Sequence, residues 1–212
     1  MKLKTVRELS PVFITLLILF EIVAYTSTIP RPQEPFFQLY TLGATGMAGI
    51  YYPNNSSFIQ PGEVVDWNLG VVNDMGSLQY VSLRVKLGNQ TINPPNDTLA
   101  TSSPSPLIAV FNEFIPNNGT WQMSFVWQIV NYTTSPDGHI AVHTIAISNS
   151  TYAIQNPPTC QSINSCEFRI IFELWVWDTN VADFQFGWTA GGEPRIAWLQ
   201  LWFQLSSTVS HR

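Results

Sequence analysis

The sequence predicts an all-β, antiparallel β-sandwich of seven or eight strands, preceded by one N-terminal transmembrane helix. Three observations predict it. Apolar and polar residues alternate in several separate runs. Turn residues punctuate those runs at short intervals. A long apolar stretch occurs only near the N-terminus. The 212 residues give room for one domain plus an anchor. Hydrophobic residues make up 45% and aromatics 13%, enough to build a core, which excludes disorder throughout. Charged residues are only 11%, against about 25% in ordinary soluble domains. Nine Lys and Arg against 14 Asp and Glu give a net charge of -5. That balance excludes the basic surface a nucleic acid would require.

Residues 1–8 form a basic tail carrying Lys2, Lys4 and Arg7. Residues 9–29 read as a transmembrane signal anchor; at about 1.5 Å per residue they cross a hydrocarbon core of roughly 30 Å. The basic residues flank one side only. They predict a cytoplasmic N-terminus, a single-pass protein of the cell membrane and an extracellular bulk of the chain. Pro11 is expected near the start of the helix, where its missing N–H costs little. A cleaved signal peptide is the competing reading, since the most apolar core, residues 12–20, is short. Tyr25 breaks the small-residue pattern that cleavage needs. Glu21 is expensive inside a membrane unless paired or near an interface, so it is a candidate contact to a partner helix. Residues 30–35 hold three Pro and read as an extended stalk. Residues 36–205 are the extracytoplasmic sandwich, and 206–212 a tail.

The strands follow in order. Residues 36–42 enter the domain. Val65, Trp67, Leu69 and Val71 share one face of the next run. Asn73, Asp74 and Gly76 then signal a turn. Val81, Leu83, Val85 and Leu87 share the next face, with Ser82, Arg84 and Lys86 expected outward. Residues 107–115 are a further strand. Trp121, Met123, Phe125, Trp127 and Ile129 alternate with polar residues. Residues 140–147 follow a Pro-Asp-Gly turn, and 168–177 are apolar on both faces. In 196–205, Leu199, Leu201, Phe203 and Leu205 oppose Trp198, Gln200, Trp202 and Gln204. Residues 93–106 and 149–166 read as two long loops.

Asn-x-Ser/Thr sequons occur at Asn54, Asn55, Asn89, Asn96, Asn118, Asn131 and Asn149. Chance placement of 15 Asn among 36 Ser and Thr gives about 2.5 such sites. The excess, all of it beyond the anchor, points to a glycosylated extracellular domain. Cys160 and Cys166 are the only cysteines, and outside the cell a pair this close is expected to form a disulfide. A metal pair would show Cys-x-x-Cys spacing with further ligands nearby.

Three segments carry a family resemblance. They are the run 37–48 with its Gly43-Ala44-Thr45-Gly46-Met47-Ala48, the Pro61-Gly62-Glu63-Val64 stretch leading to Val72-Asn73, and Phe172-Glu173-Leu174-Trp175 with Leu199-Gln200-Leu201-Trp202 after it. This resembles the archaeal membrane-protein family called domain of unknown function 1616, over about residues 36–205. The resemblance implies N-terminal transmembrane helices followed by an immunoglobulin-like extracytoplasmic domain. Family members often carry several helices, and this chain offers one. The family's function is itself unknown, so it implies no catalytic or binding residue.

Chemistry is sparse. His139 and His143 lie four apart on an expected strand, about 13 Å, too far to share one metal directly. No metal site, catalytic residue or cofactor is expected. Asp66, Glu113, Glu173, Asp178 and Asp183 are scattered acids from which a hydrolase could be assembled. Trp175, Trp177, Trp198 and Trp202 face outward in the alternation and form a candidate binding surface. Loops such as 149–166 would otherwise cover them as a second small core. The functional expectation is a non-enzymatic structural or accessory protein of the archaeal cell envelope. Its expected partners are the membrane, other envelope or membrane-complex proteins and glycans. A carbohydrate- or ligand-binding module is the alternative, and an extracytoplasmic hydrolase a weaker one.

Overall fold

The apolar N-terminal run and the alternating runs fold as two separate units, Met1–Glu34 and Pro35–Arg212. The computed structural model describes residues 3–28, 34–160 and 167–205. In the first unit, α1 spans Leu3–Thr28, with Pro11 inside it. Pro11 therefore sits well past the first turn, because the helix begins earlier than its apolar stretch. The segment Pro11–Thr28 is long and apolar enough to cross a membrane. Its Ser and Thr hydroxyls are satisfied within the helix. Thr15 donates to the Pro11 carbonyl at 2.8 Å, Thr26 to Ile22 at 2.9 Å and Ser27 to Val23 at 2.7 Å. These bonds remove the polar cost that hydroxyls would carry in an apolar medium.

The second unit is an antiparallel β-sandwich. Its strands are β1 (Phe36–Gly43), β2 (Phe58–Ile59), β3 (Val65–Asp74), β4 (Gln79–Asn89), β5 (Leu107–Ile115), β6 (Gly119–Thr134) and β7 (Ile140–Ile147). They continue with β8 (Ser150–Ala153), β9 (Thr159–Cys160), β10 (Glu167–Asp178), β11 (Asp183–Phe186), β12 (Trp188–Ala190), β13 (Glu193–Arg195) and β14 (Ala197–Leu205). The first sheet runs β1-β3-β6-β7-β8, with β9 also on β7. The second runs β2-β14-β10-β4-β5, with β11 also on β10. β12 and β13 form a separate ribbon. The β3–β6 pair and the β4–β10–β14 set repeat the B–E and C–F–G pairings of immunoglobulin-like sandwiches. The fourth place in the first sheet is taken by β7, which follows its neighbour β6 in sequence, where an immunoglobulin-like strand D precedes E.

Each expected long strand is present. The extra strands are β8 and β9 from the expected loop 149–166, and β2, β11, β12 and β13 from the other connections. Alternation puts Trp67 and Leu69 of β3, Phe125 and Trp127 of β6, Phe172 of β10 and Phe203 of β14 in one core. Trp67 packs tilted on Trp127 at 5.2 Å, and Phe125 meets Phe172 edge-on at 5.0 Å. Such offset geometries are the favoured ones for aromatic pairs. The Asn73 turn signal is also realised. The buried Asn73 amide donates to the carbonyls of Ile115 at 2.7 Å and Ser77 at 2.9 Å, tying the β3–β4 turn to β5.

Candidate functional site

Three basic residues of the sandwich, Arg84, Lys86 and Arg169, project from the outer face of the second sheet. They are outward of the core, as the alternation requires. Two of them, Lys86 and Arg169, are nevertheless buried, and so is Ser82. The outward orientation holds, but segment 90–106 crosses this face as a strap and covers it in part. Lys86 Nζ lies 2.9 Å from Glu173 Oε2 and donates to the Ser103 carbonyl at 2.6 Å. Glu173 Oε1 accepts the Ser103 N–H at 2.7 Å. Arg169 donates to the Gln200 amide oxygen at 2.7 Å and to the Ile92 carbonyl. Burial pulls the guanidinium pKa of Arg169 below its ordinary value. Gly88 is the cross-strand partner of Arg169, and a Cβ there would meet Ser105 Oγ at 2.8 Å.

Partners from β4, β10, β11 and the strap engage the four tryptophans. Trp175 donates to Glu173 Oε2 at 3.1 Å, and the Arg84 guanidinium sits 3.5 Å from its ring centroid. Trp177 packs edge-on against Phe184 of β11 at 5.2 Å. Trp198 donates to Asp97 of the strap at 2.7 Å. Arg169 lies 4.7 Å over Trp202. All four are half-buried. Their face is closed by 90–106 and β11; 149–160 instead supplies β8 and β9, which extend the first sheet.

The remaining candidates disperse. Asn54, Asn55, Asn96, Asn118, Asn131 and Asn149 are exposed. Asn89 is buried, and its Nδ2 donates to the Thr159 carbonyl at 2.9 Å. In the folded domain that amide is closed to modification. Cys160 is buried on β9, and Cys166 lies outside the described residues, as do the proposed tail 206–212 and most of the stalk. Glu21 is exposed on α1 and has no side-chain partner among the described residues. His139 precedes β7, and the His143 ring nitrogen Nε2 pairs with Thr133 Oγ1 at 2.8 Å. Among the described residues no three His, Cys, Asp or Glu converge as a metal-binding group. Of the five acids, Asp178 and Asp183 are cross-strand partners; Asp178 accepts the Asn180 N–H at 2.8 Å and Asp183 the Phe184 N–H at 2.7 Å. Glu173 is buried in the ion pair, away from solvent.

The strap network escaped the sequence reading. Its one sequence signal is Glu173, a carboxylate within the largely apolar run 168–177. A second feature was also invisible there. Tyr40 of β1 lies across Gly70 of β3, and its hydroxyl accepts from Gln122 Nε2 of β6 at 3.0 Å.

No family model matches the chain, and no curated protein matches it. Solved structures similar to it include the CARDB domain of a Pyrococcus furiosus protein, solved in complex with di-metal ions. There the identity is 8% and the TM-score 0.37, over 82% of this chain and 90% of that one. Another is Spo0M, a sporulation control protein from Bacillus subtilis. There the identity is 12% and the TM-score 0.36, over 81% of this chain and 49% of that one.

Proposed function

We infer that this chain is a membrane-anchored, glycosylated extracytoplasmic protein of an archaeal cell envelope. It acts without catalysis, as a structural or accessory component that packs against other envelope or membrane-complex proteins. The archaeal assignment is supported by the resemblance of its three segments. The anchor is supported by the apolar segment Pro11–Thr28, and the orientation by Lys2, Lys4 and Arg7 on one flank.

The free edge of β5 carries the packing reading. Other edge strands are blunted by length: β8 has four residues and β2 two. β1 runs beside β14, with which it lines a shared depression. β5 has nine residues and pairs with β4 on one side. Leu107, Val110 and Phe114 on it are 46%, 44% and 59% exposed. Its one charged residue is Glu113, and it has neither Lys nor Pro. Its pairing with β4 shifts register once, opposite Val85 and Lys86, but an edge this long and apolar is a template for another strand.

The test is the mass and composition of the native particle, extracted from its own membranes in mild detergent. A large particle with fixed companions is expected, and Val110→Lys should release them. A monomer carrying only glycans, or companions indifferent to Val110→Lys, would overturn the reading. The carbohydrate module built on Trp175, Trp177, Trp198 and Trp202 is weaker, because those indoles are engaged within the domain.

A further inference from the structure

We propose that the outer face of the first sheet, along β1, binds a neutral saccharide. The site is independent of β5 and of the packing reading. Strand register sets two cross-strand rows side by side on this face, Tyr40–Gly70–Gln122 and Leu42–Asn68–Ser124. Tyr40 and Gln122 sit two strands apart, about 10 Å at the usual strand spacing. A tyrosine reaches a partner at that distance only by lying down along the sheet. Gly70 is what lets it do so, because a Cβ there would fall 2.0 Å from Tyr40 Cζ. One face of the ring therefore rests on the sheet and the other is turned outward.

Depressions of about 500 and 530 Å3 flank this ring, and Tyr40 lines both. Each falls in the range of roughly 300–1,000 Å3 typical of small-ligand sites. The first is bordered by Thr45, Asn68, Gln122 and Ser124, the second by Gln38, Asp97 and Trp198. Asp97 is the one charged residue lining either, and Trp198 already donates to it. Among the described residues, the exposed side chains of Gln38 and Ser124 have no protein partner.

This chemistry selects its ligand. The outward ring face is the negative side of the π quadrupole and attracts the weakly positive C–H groups of a pyranose. Amides and hydroxyls both donate and accept, as sugar hydroxyls do. The lack of Lys and Arg gives nothing to offset a phosphate, sulfate or carboxylate.

The test uses the full chain in detergent on an array of neutral and acidic oligosaccharides, with titration calorimetry on the best neutral binder. Neutral binding is expected. Tyr40→Ala should weaken it about tenfold. Tyr40→Phe, which keeps the ring, should retain most of it. Gln122→Ala alters an exposed side chain, so it should weaken binding with the melting temperature unchanged. Repeating the array after enzymatic deglycosylation separates the sources. A gain in binding means that N-glycans on copies of this chain fill the groove; no change means an external saccharide does. Absence of neutral binding, preference for acidic sugars, or indifference to both Tyr40→Ala and Gln122→Ala would overturn the proposal. Tyr40 would then only shield Gly70.

Discussion

Glu173 holds the outer face of the second sheet together. Its two oxygens reach Lys86, the Ser103 N–H and the Trp175 indole. A buried carboxylate is stable only when so fully satisfied. Glu173→Ala strands the Lys86 ammonium and should cost about 3–5 kcal/mol, read by urea denaturation. Strap cleavage by a protease should rise with it. Gly70→Ala should destabilise by only about 1 kcal/mol, because the new Cβ turns the half-exposed Tyr40 ring outward and breaks its bond to Gln122. Glycopeptide mass spectrometry should find Asn89 unmodified in the native protein, with occupancy confined to the six exposed sequons.

At the scale of elements, periodicity made the long strands legible. Val65 to Val71 of β3 and Val81 to Leu87 of β4 alternate as a half-buried strand must, and every one of those apolar positions is buried. The strap was not legible. Residues 93–106 are rich in Pro, Ser, Thr and Asn, a composition that reads as a solvated loop. What pins it is an ion pair formed by two strands far apart in sequence. The short β8 and β9 were equally hidden, since four and two residues leave no period to detect. The loop that follows β9 is expected to be closed by a Cys160–Cys166 disulfide. Non-reducing peptide mapping should recover that linkage, and Cys160→Ser with Cys166→Ser should cost about 2 kcal/mol for so small a loop. Free thiols at Cys160 and Cys166 would count against it.

For the whole molecule, the sequence by itself determined the class: an apolar segment long enough to span a membrane, then one all-β sandwich with a low-charge surface rich in sequons. These properties are written in composition and in periods of local residues, which need no knowledge of distant neighbours. Only the tertiary structure decided which polar and aromatic side chains are open. It buried Lys86 and the Asn89 sequon, both expected to be open, buried Arg169 beside them, and set half-buried Trp175 and Trp202 under cationic partners. It also left the edge of β5 bare and laid Tyr40 over Gly70 between two uncharged side chains, Asn68 and Gln122. The physical reason is register. A strand's own alternation says which face a side chain takes, but what lies across that face depends on strands and straps brought in from elsewhere in the chain.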